Sequence, residues 1–138
     1  MSHLEIRNFT RSKAPVFPFA KALEKALPGW ELSLVFAGET RARALNINLR
    51  AKDYVPNVLS YVVGKKSGEI IICPNVAKKQ APAYGLSYPN MVGFLFIHGL
   101  LHLKGLRHGA TMDKHERELL SHFIRVTPSD GQTHRNRH

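Results

Sequence analysis

Residues 89–105 read PNMVGFLFIHGLLHLKG, and this stretch decides the fold. It is apolar on nearly every face of a helix, with Pro89 in the first turn and Gly105 just past the end, as is common in helices. The apolar run from Met91 to Leu103 is interrupted by two histidines and is shorter than the roughly 18 residues that span a bilayer. The stretch therefore predicts a central helix buried in a protein core.

The rest of the chain predicts short strands and helices around this helix. Apolar residues spaced three or four apart indicate helices, and runs of β-branched and aromatic residues indicate strands. A polar loop is expected over Asn46–Asn57, and Pro74, Pro82 and Pro89 punctuate a connecting region before the central helix. The predicted elements are a strand at Leu4–Arg7, a helix at Phe17–Leu27, a strand at Glu31–Phe36, a helix at Glu39–Asn48, strands at Val58–Val63 and Glu69–Cys73, and a final amphipathic helix at about Met112–Ile124.

These elements predict one domain. The turn at Gly64–Gly68 is short and contains two glycines, so the strands on either side are expected to pair antiparallel. At 138 residues the chain has the usual size of a single domain. We expect an α/β fold of the α+β type, with a mixed sheet of about four strands around the buried helix that carries the histidines. Residues 1–126 are assigned to this domain, and the basic tail at 127–138 is expected to be disordered.

The composition indicates where the protein functions. Cys73 is the single cysteine, which excludes a disulfide within the chain and fits a reducing compartment. Its position at the end of an apolar strand predicts that it is buried. Residues 1–10 carry Glu5 and Arg7 and lack the apolar stretch of a signal peptide. We expect a cytoplasmic protein with no membrane segment.

The charge of the chain favours polyanionic partners. Lysine and arginine number 20 against 10 aspartates and glutamates, for a formal charge of +10. Such a balance is typical of RNA-binding proteins, but it also occurs on basic surfaces that only interact with solvent, and composition does not decide between the two. We expect one face of the sheet to bury the apolar helix and the other to expose a basic cleft. The candidate phosphate contacts in loops are Lys52, Lys65, Lys66, Lys78 and Lys79.

Three histidines predict a metal site. His98 and His102 are four residues apart, so on a helix their side chains lie one above the other on one face. Gly105 lets the chain reverse direction, and His108 follows three residues later as a third imidazole. The pattern predicts one divalent metal ion per chain. Three protein ligands leave a fourth position open, the catalytic arrangement for zinc, which we expect here; nickel, copper and iron also suit three imidazoles.

The alternative interpretation is that His98 and His102 are core histidines with ordinary hydrogen-bond partners. For a lone histidine on an apolar face this would be the favoured interpretation. Here two histidines lie one turn apart in a helix with few polar neighbours. Burying an imidazole without a hydrogen-bond partner costs on the order of 1 to 3 kcal/mol of folding free energy. A shared metal ion therefore explains the pair better.

The same histidine spacing occurs in metzincin proteases, where a glutamate directly after the first histidine is the general base. Gly99 occupies that position here. A glycine takes no proton from a metal-bound water, so the protease interpretation is disfavoured. A zinc ion lowers the pKa of its bound water to about 7 and needs less help from a side-chain base.

With these residues in view, the chain resembles the YbeY family of bacterial single-strand-specific endoribonucleases, which are associated with ribosomal RNA maturation and ribosome quality control. The resemblance covers nearly the whole domain. It is carried by the run HGLLHLKGLRH at His98–His108, by Leu45–Tyr61, and by Gly68–Cys73.

The resemblance implies that His98, His102 and His108 bind the metal and that Arg50 matches the family's functionally important arginine. The planar fork of an arginine suits a phosphodiester and the charge that develops on it. Without the resemblance, Arg50 would read as an ordinary surface arginine.

Two residues depart from the family's pattern. Arg107 stands where an aspartate is common, and Pro56 replaces the threonine of the loop motif. Arg107 places positive charge beside the proposed metal, which favours phosphate and opposes an approaching cation. The two departures bear on metal affinity and substrate choice more than on the fold.

The resemblance implies a metal-dependent endoribonuclease that cuts single-stranded ribosomal RNA and has ribosomal partners. In this hypothesis Arg50 holds the scissile phosphate while the metal polarises it or activates a water. Attack by a 2′-hydroxyl would leave a cyclic phosphate, and attack by water would not. One rival function is an RNA-binding ribosome-assembly factor with a structural metal, and another is a metal-dependent hydrolase of a different substrate, peptides included.

Overall fold

The computed structural model describes residues 1–105 and 109–123 as one layer of sheet with helices on both faces. The strands pair in the order β1-β2-β4-β3, with β1 and β4 parallel to β2 and β3 antiparallel to β4. This mixed four-stranded sheet confirms the predicted fold class. The strands are β1 (His3–Asn8), β2 (Glu31–Phe36), β3 (Val58–Gly64) and β4 (Ser67–Ile72), and the helices are α1 (Phe19–Ala26), α2 (Glu39–Arg50), α3 (Pro74–Gln80), α4 (Tyr88–Leu103) and α5 (Ala110–Ser121).

Helix α4 is the centre of the core, as its apolar sequence predicts. Ser87 caps its first turn by accepting a hydrogen bond from the main-chain N–H of Asn90 at 3.3 Å. Phe96, Ile97 and Leu100 are fully buried. They belong to the main core, which includes residues of α1, α5 and the α4-facing side of the sheet. None of the described helices is long and apolar enough to cross a membrane.

The opposite face of the sheet covers a second, smaller core. Val35, Leu59 and Ile71 form it together with Ala42 of α2, and Cys73 is 1% exposed within it, as expected for a structural cysteine. Because this face is apolar and α2 lies over it, the predicted basic cleft on this face is wrong.

Helix α2 is longer than the spacing of its apolar residues predicts. It continues through Arg50, so the first residues of the predicted loop at Asn46–Asn57 are helical. The helix ends because Ala51 adopts the left-handed conformation (φ 56°, ψ 35°), which turns the N–H of Lys52 back to the carbonyl of Asn46 at 3.4 Å. Arg50 therefore lies in the last helical turn and not in a loop.

The region of prolines before α4 is also helical, against the expectation of a plain connection. Pro74 begins α3, and a 3₁₀ turn follows at Ala81–Tyr84 with Pro82 in its first turn. Proline fits the first turn of a helix because the N–H that it lacks would have no partner there. The β3–β4 hairpin is confirmed, but its turn is only Lys65 and Lys66, not the five residues predicted.

The final helix begins earlier than predicted. Helix α5 starts at Ala110, its residues Leu119 and Leu120 are buried, and Phe123 packs against the core as expected. Ile124 and the predicted tail at 127–138 lie outside the described residues.

Candidate functional site

The pair of histidines lies on the partly exposed side of the second half of α4. His98 and His102 are one turn apart on the same face, and their Nε2 atoms are 3.1 Å from each other. The side chain of His98 is 17% exposed, and both rings line an open cleft. The spacing therefore predicted the convergence of these two rings correctly.

A buried carboxylate from α5 holds the first of these rings. Oε2 of Glu116 lies 2.7 Å from Nδ1 of His98, and Glu116 is 1% exposed. The tautomer of His98 with its proton on Nδ1 fits this contact, because an N–H donates and a carboxylate oxygen accepts. In that tautomer the lone pair of a neutral His98 is on Nε2, the atom that faces His102. A carboxylate behind a histidine in this way commonly orients a metal ligand.

Sequence reasoning missed Glu116. Its signal was present, because Glu116 lies on the same face of α5 as Met112, Leu119 and Leu120, all of which are buried. A carboxylate on the apolar face of an amphipathic helix is rarely buried without a partner.

The donors that the structure brings together fit a divalent metal ion. Imidazole nitrogens are the ligands that zinc and its neighbours prefer, and the carboxylate behind His98 fixes the tautomer that such a bond requires. Within residues 1–105 and 109–123 no three histidine, cysteine, aspartate or glutamate side chains are arranged so that all could bind one metal ion. The third predicted ligand, His108, and its neighbour Arg107 lie outside the described residues.

The cleft beside the histidines has a volume of about 710 Å³. One wall is α4 with His98 and His102, and the opposite wall is β3 with the end of α2, from which Arg50 reaches the cleft. Arg50 and both histidines thus line the same cleft, although Arg50 and His98 are 48 positions apart in the sequence. Such a cleft is large enough for a small organic ligand or one nucleotide of a longer chain.

The loop that follows Arg50 is held by Asn46. This residue is fully buried, and its Nδ2 donates to the main-chain carbonyl of Tyr54 at 3.0 Å. Tyr54 is 49% exposed and lines the cleft beside Arg50. Asn46 therefore fixes how the end of α2 and the following loop face the cleft.

The lysines predicted for the cleft lie elsewhere. Lys65 and Lys66 form the turn of the hairpin, and Lys78 and Lys79 are on α3. Lys79 Nζ lies 3.6 Å from a carboxylate oxygen of Glu39. Among the described residues that line the cleft, Arg50 is the only lysine or arginine. The expectation of a lysine-lined cleft is therefore wrong.

Gly99 faces the sheet and not the cleft. A Cβ atom on Gly99 would lie 3.0 Å from Cδ1 of Ile70 and 3.3 Å from two more atoms of that side chain. A glutamate at this position would thus meet β4, away from the ring nitrogens of the two histidines. This geometry agrees with the sequence analysis, which disfavours the metzincin mechanism.

Tyr61 packs against the smaller core and donates a hydrogen bond from its hydroxyl to a carboxylate oxygen of Glu69. Burial, followed by this bond and by the charge of Glu69, raises the pKa of Tyr61 to about 12. The phenol therefore stays protonated at neutral pH and links β3 to β4 beside the cleft.

The fold and the site together define a small α+β domain with a histidine pair at a cleft between its central helix and the edge of its sheet. Residues 2–124 match the sequence model of the family described as endoribonuclease YbeY. The chain therefore belongs to the endoribonuclease YbeY family, as its motifs predicted.

Individual relatives agree with this assignment. The endoribonuclease YbeY of Staphylococcus carnosus is 37% identical over 110 residues, which cover 71% of this chain and 72% of that protein. The endoribonuclease YbeY of Bdellovibrio bacteriovorus is 39% identical over 80 residues, covering 56% of this chain and 53% of that protein.

A solved structure supports the fold. The solution structure of TM1509 from Thermotoga maritima superimposes with a TM-score of 0.63 at 20% identity, and the match covers 86% of this chain and 87% of that one. At this identity the likeness concerns the fold alone.

Proposed function

We propose that this chain is a metal-dependent endoribonuclease that cuts single-stranded RNA in the maturation and quality control of ribosomal RNA. The proposal rests on the observation that Arg50 and the His98–His102 pair line the same cleft. Family membership supports RNA as the substrate. The charge of +10 supports a polyanionic substrate, with the ribosome as partner, and the proposal places the protein in the cytoplasm.

The metal ligands in this proposal are His98, His102 and His108, with one divalent ion per chain, for which zinc is expected. When bound, the ion supplies Lewis-acid polarisation of a phosphate oxygen or a more acidic water. Glu116 holds the ring of His98 so that Nε2 points toward His102. The two helices α4 and α5 thus fix the histidine rings before any substrate arrives.

Arg50 is the proposed catalytic residue. Its guanidinium is always protonated, and its fork geometry matches two oxygens of a phosphodiester. In a cleft with no other described lysine or arginine, it is the group that holds the scissile phosphate and stabilises the charge that develops on it.

The test compares Arg50→Ala and His102→Ala with wild-type protein, measuring metal content and cleavage of a single-stranded RNA. We expect about one metal per chain in the wild type and in Arg50→Ala, with cleavage by Arg50→Ala slowed about a hundredfold or more. His102→Ala is expected to lose both metal and cleavage. Arg41→Ala is the matched control, because Arg41 is on the same helix and stacks on Phe9, outside the cleft.

Three outcomes would contradict this proposal. Cleavage by a metal-free wild type would exclude the metal mechanism. Metal and RNA binding without any cleavage would favour the assembly factor with a structural metal, and cleavage of another substrate in preference to RNA would favour a different hydrolase.

A further inference from the structure

We propose that the cleft binds the base of one unpaired nucleotide through the free edge of β3 and an aromatic wall formed by Tyr84 and Phe94. This inference rests on the proposed function, since it assigns the part of the RNA that the same cleft recognises. It gives a physical reason for selecting single strands.

The first observation is that β3 is an edge strand whose free side faces the cleft. It is the last strand in the sheet order, and its residues 57–62 line the cleft. Within the described residues no strand pairs with that side. An edge strand presents main-chain N–H and C=O groups that are ready to bind an extended or planar partner.

The register shows which of these groups face outward. Antiparallel pairs alternate between hydrogen-bonded and non-bonded residues. The N–H of Cys73 bonds the carbonyl of Asn57 at 3.1 Å, and the carbonyl of Ile72 accepts from the N–H of Ala37, directly after β2, at 3.0 Å. Hence Leu59 and Tyr61 point their main-chain groups to β4.

Ser60, opposite Ile70 in the register, therefore turns its N–H and C=O toward the cleft. The N–H of Val58, which also points that way, already bonds its neighbour's side chain, the Oδ1 of Asn57, at 2.7 Å. Ser60 thus presents one donor and one acceptor side by side. The Watson–Crick edge of a base also carries adjacent donors and acceptors, which a duplex occupies and a single strand leaves open.

The second observation is the aromatic wall on the α4 side of the cleft. The rings of Tyr84 and Phe94 are 5.6 Å apart between centroids and inclined by 48°, and Phe94 is 6.4 Å from the ring of His98. Tyr84 is partly exposed and offers its ring to the cleft, whereas Phe94 is only 5% exposed and supports the ring of Tyr84 from behind. Aromatic side chains of this kind stack on unpaired bases with little preference for sequence.

The third observation is the low charge of the cleft. Among the described residues that line it, Arg50 is the only lysine or arginine, so apart from the proposed metal ion these residues offer a phosphate a single guanidinium. Contacts to the base and sugar would add to this attraction. A base is accessible to such contacts only when it is out of a duplex stack.

The test uses uridine 5′-monophosphate and ribose 5-phosphate as probes, because they differ only by the base and neither has a bond that an endoribonuclease cuts. Binding is measured by calorimetry and by amide shifts in NMR. We expect uridine monophosphate to bind wild-type protein about tenfold more tightly than ribose phosphate, consistent with the contribution of one base–aromatic stack. The amide of Ser60 is expected to shift only with the nucleotide.

Two variants examine the two contacts. Ser60→Pro removes the outward N–H without removing a bond of the β3–β4 ladder, as proline is accepted at edges of this kind; Ser60→Ala retains the N–H and is its control. Tyr84→Leu removes the stacking ring while retaining apolar packing, so it serves even if Ser60→Pro fails to fold. We compare the ratio of the two dissociation constants, ribose 5-phosphate over uridine 5′-monophosphate. This ratio should fall to about one in Tyr84→Leu, decrease in Ser60→Pro, and stay at the wild-type value in Ser60→Ala.

Equal binding of the two probes by the wild type would overturn this inference, as would a preference that Tyr84→Leu leaves unchanged. Cleavage of RNA together with equal binding of the probes would leave the proposed function intact and remove only the base subsite. A nucleotide preference that depends on Tyr84, in a protein that cuts no RNA, would support the subsite and refute the nuclease.

Discussion

Replacing Glu116 by glutamine tests whether this buried carboxylate positions the proposed metal ligand. The 2.7 Å contact with Nδ1 of His98 is shielded from water, since Glu116 is 1% exposed. Glutamine retains an oxygen that accepts from Nδ1 but removes the charge. A hydrogen bond to a charged group contributes about 1.5 to 3 kcal/mol, and changes behind metal ligands commonly weaken metal binding about 10- to 100-fold.

We therefore expect Glu116→Gln to bind zinc about 10- to 100-fold more weakly than wild type, measured by competition with a chelator. Glu118→Gln is the matched control, because Glu118 is on the same helix but exposed. Thermal unfolding of the metal-free proteins shows whether the fold itself has changed. Zinc affinity equal to that of the wild type, with an unchanged fold, would refute the positioning role of Glu116.

Three further predictions concern stability. Gly93→Ala should lower the free energy of unfolding by at least about 1 to 3 kcal/mol, because the new Cβ atom would lie 2.1 Å from Cε1 of Phe17 and overpack the core. A free energy of unfolding in urea equal to that of the wild type would contradict this prediction. Asn46→Ala should lower the free energy of unfolding by about 1 to 3 kcal/mol in the same assay and reduce kcat/KM for RNA cleavage, because it removes the buried 3.0 Å hydrogen bond to the loop beside the cleft. Unchanged values would show that the loop keeps its conformation without this hydrogen bond. Because the pKa of Tyr61 is raised from 10.0 to about 12, its contribution to stability is complete below pH 10 and is lost as pH rises toward 12. Tyr61→Phe should therefore remove the loss of stability at alkaline pH. It should also remove the latest phenolate transition in an absorbance titration, and a transition that persists in the variant would show that it does not belong to Tyr61.

The features predicted correctly from the sequence are those that depend on residues close to one another in the chain. The apolar run of α4 indicates burial on all sides, and His98 and His102 converge because a helix brings residues four apart onto one face. The hairpin of β3 and β4 follows from local turn residues in the same way. These predictions need no knowledge of distant contacts.

Features that depend on distant contacts were missed or misplaced. Glu116 meets His98 across 18 residues of sequence, and no local spacing links them. The lysine cleft was misplaced because α2 covers the face assigned to it, and that packing is decided by Ala42 and its partners on the sheet. The end of α2 at Arg50 depends on the left-handed conformation of Ala51, which an alanine rarely adopts. The roles of His108 and of Arg50 stay predictions.

The contact of Gly99 with Ile70 has a consequence for the directions in which this protein can evolve. A single substitution could bring a glutamate to the position after His98, but its side chain would enter the packed layer between α4 and β4. The Cβ atom alone would require Ile70 to shift by a few tenths of an ångström, and the carboxylate beyond it would need room among packed apolar side chains. Selection for peptide hydrolysis would therefore have to repack this layer before a base after His98 could act. Gly99 thus separates this chain from the proteases that share its histidine spacing in two ways, by the carboxylate that is missing and by the space that a carboxylate would need.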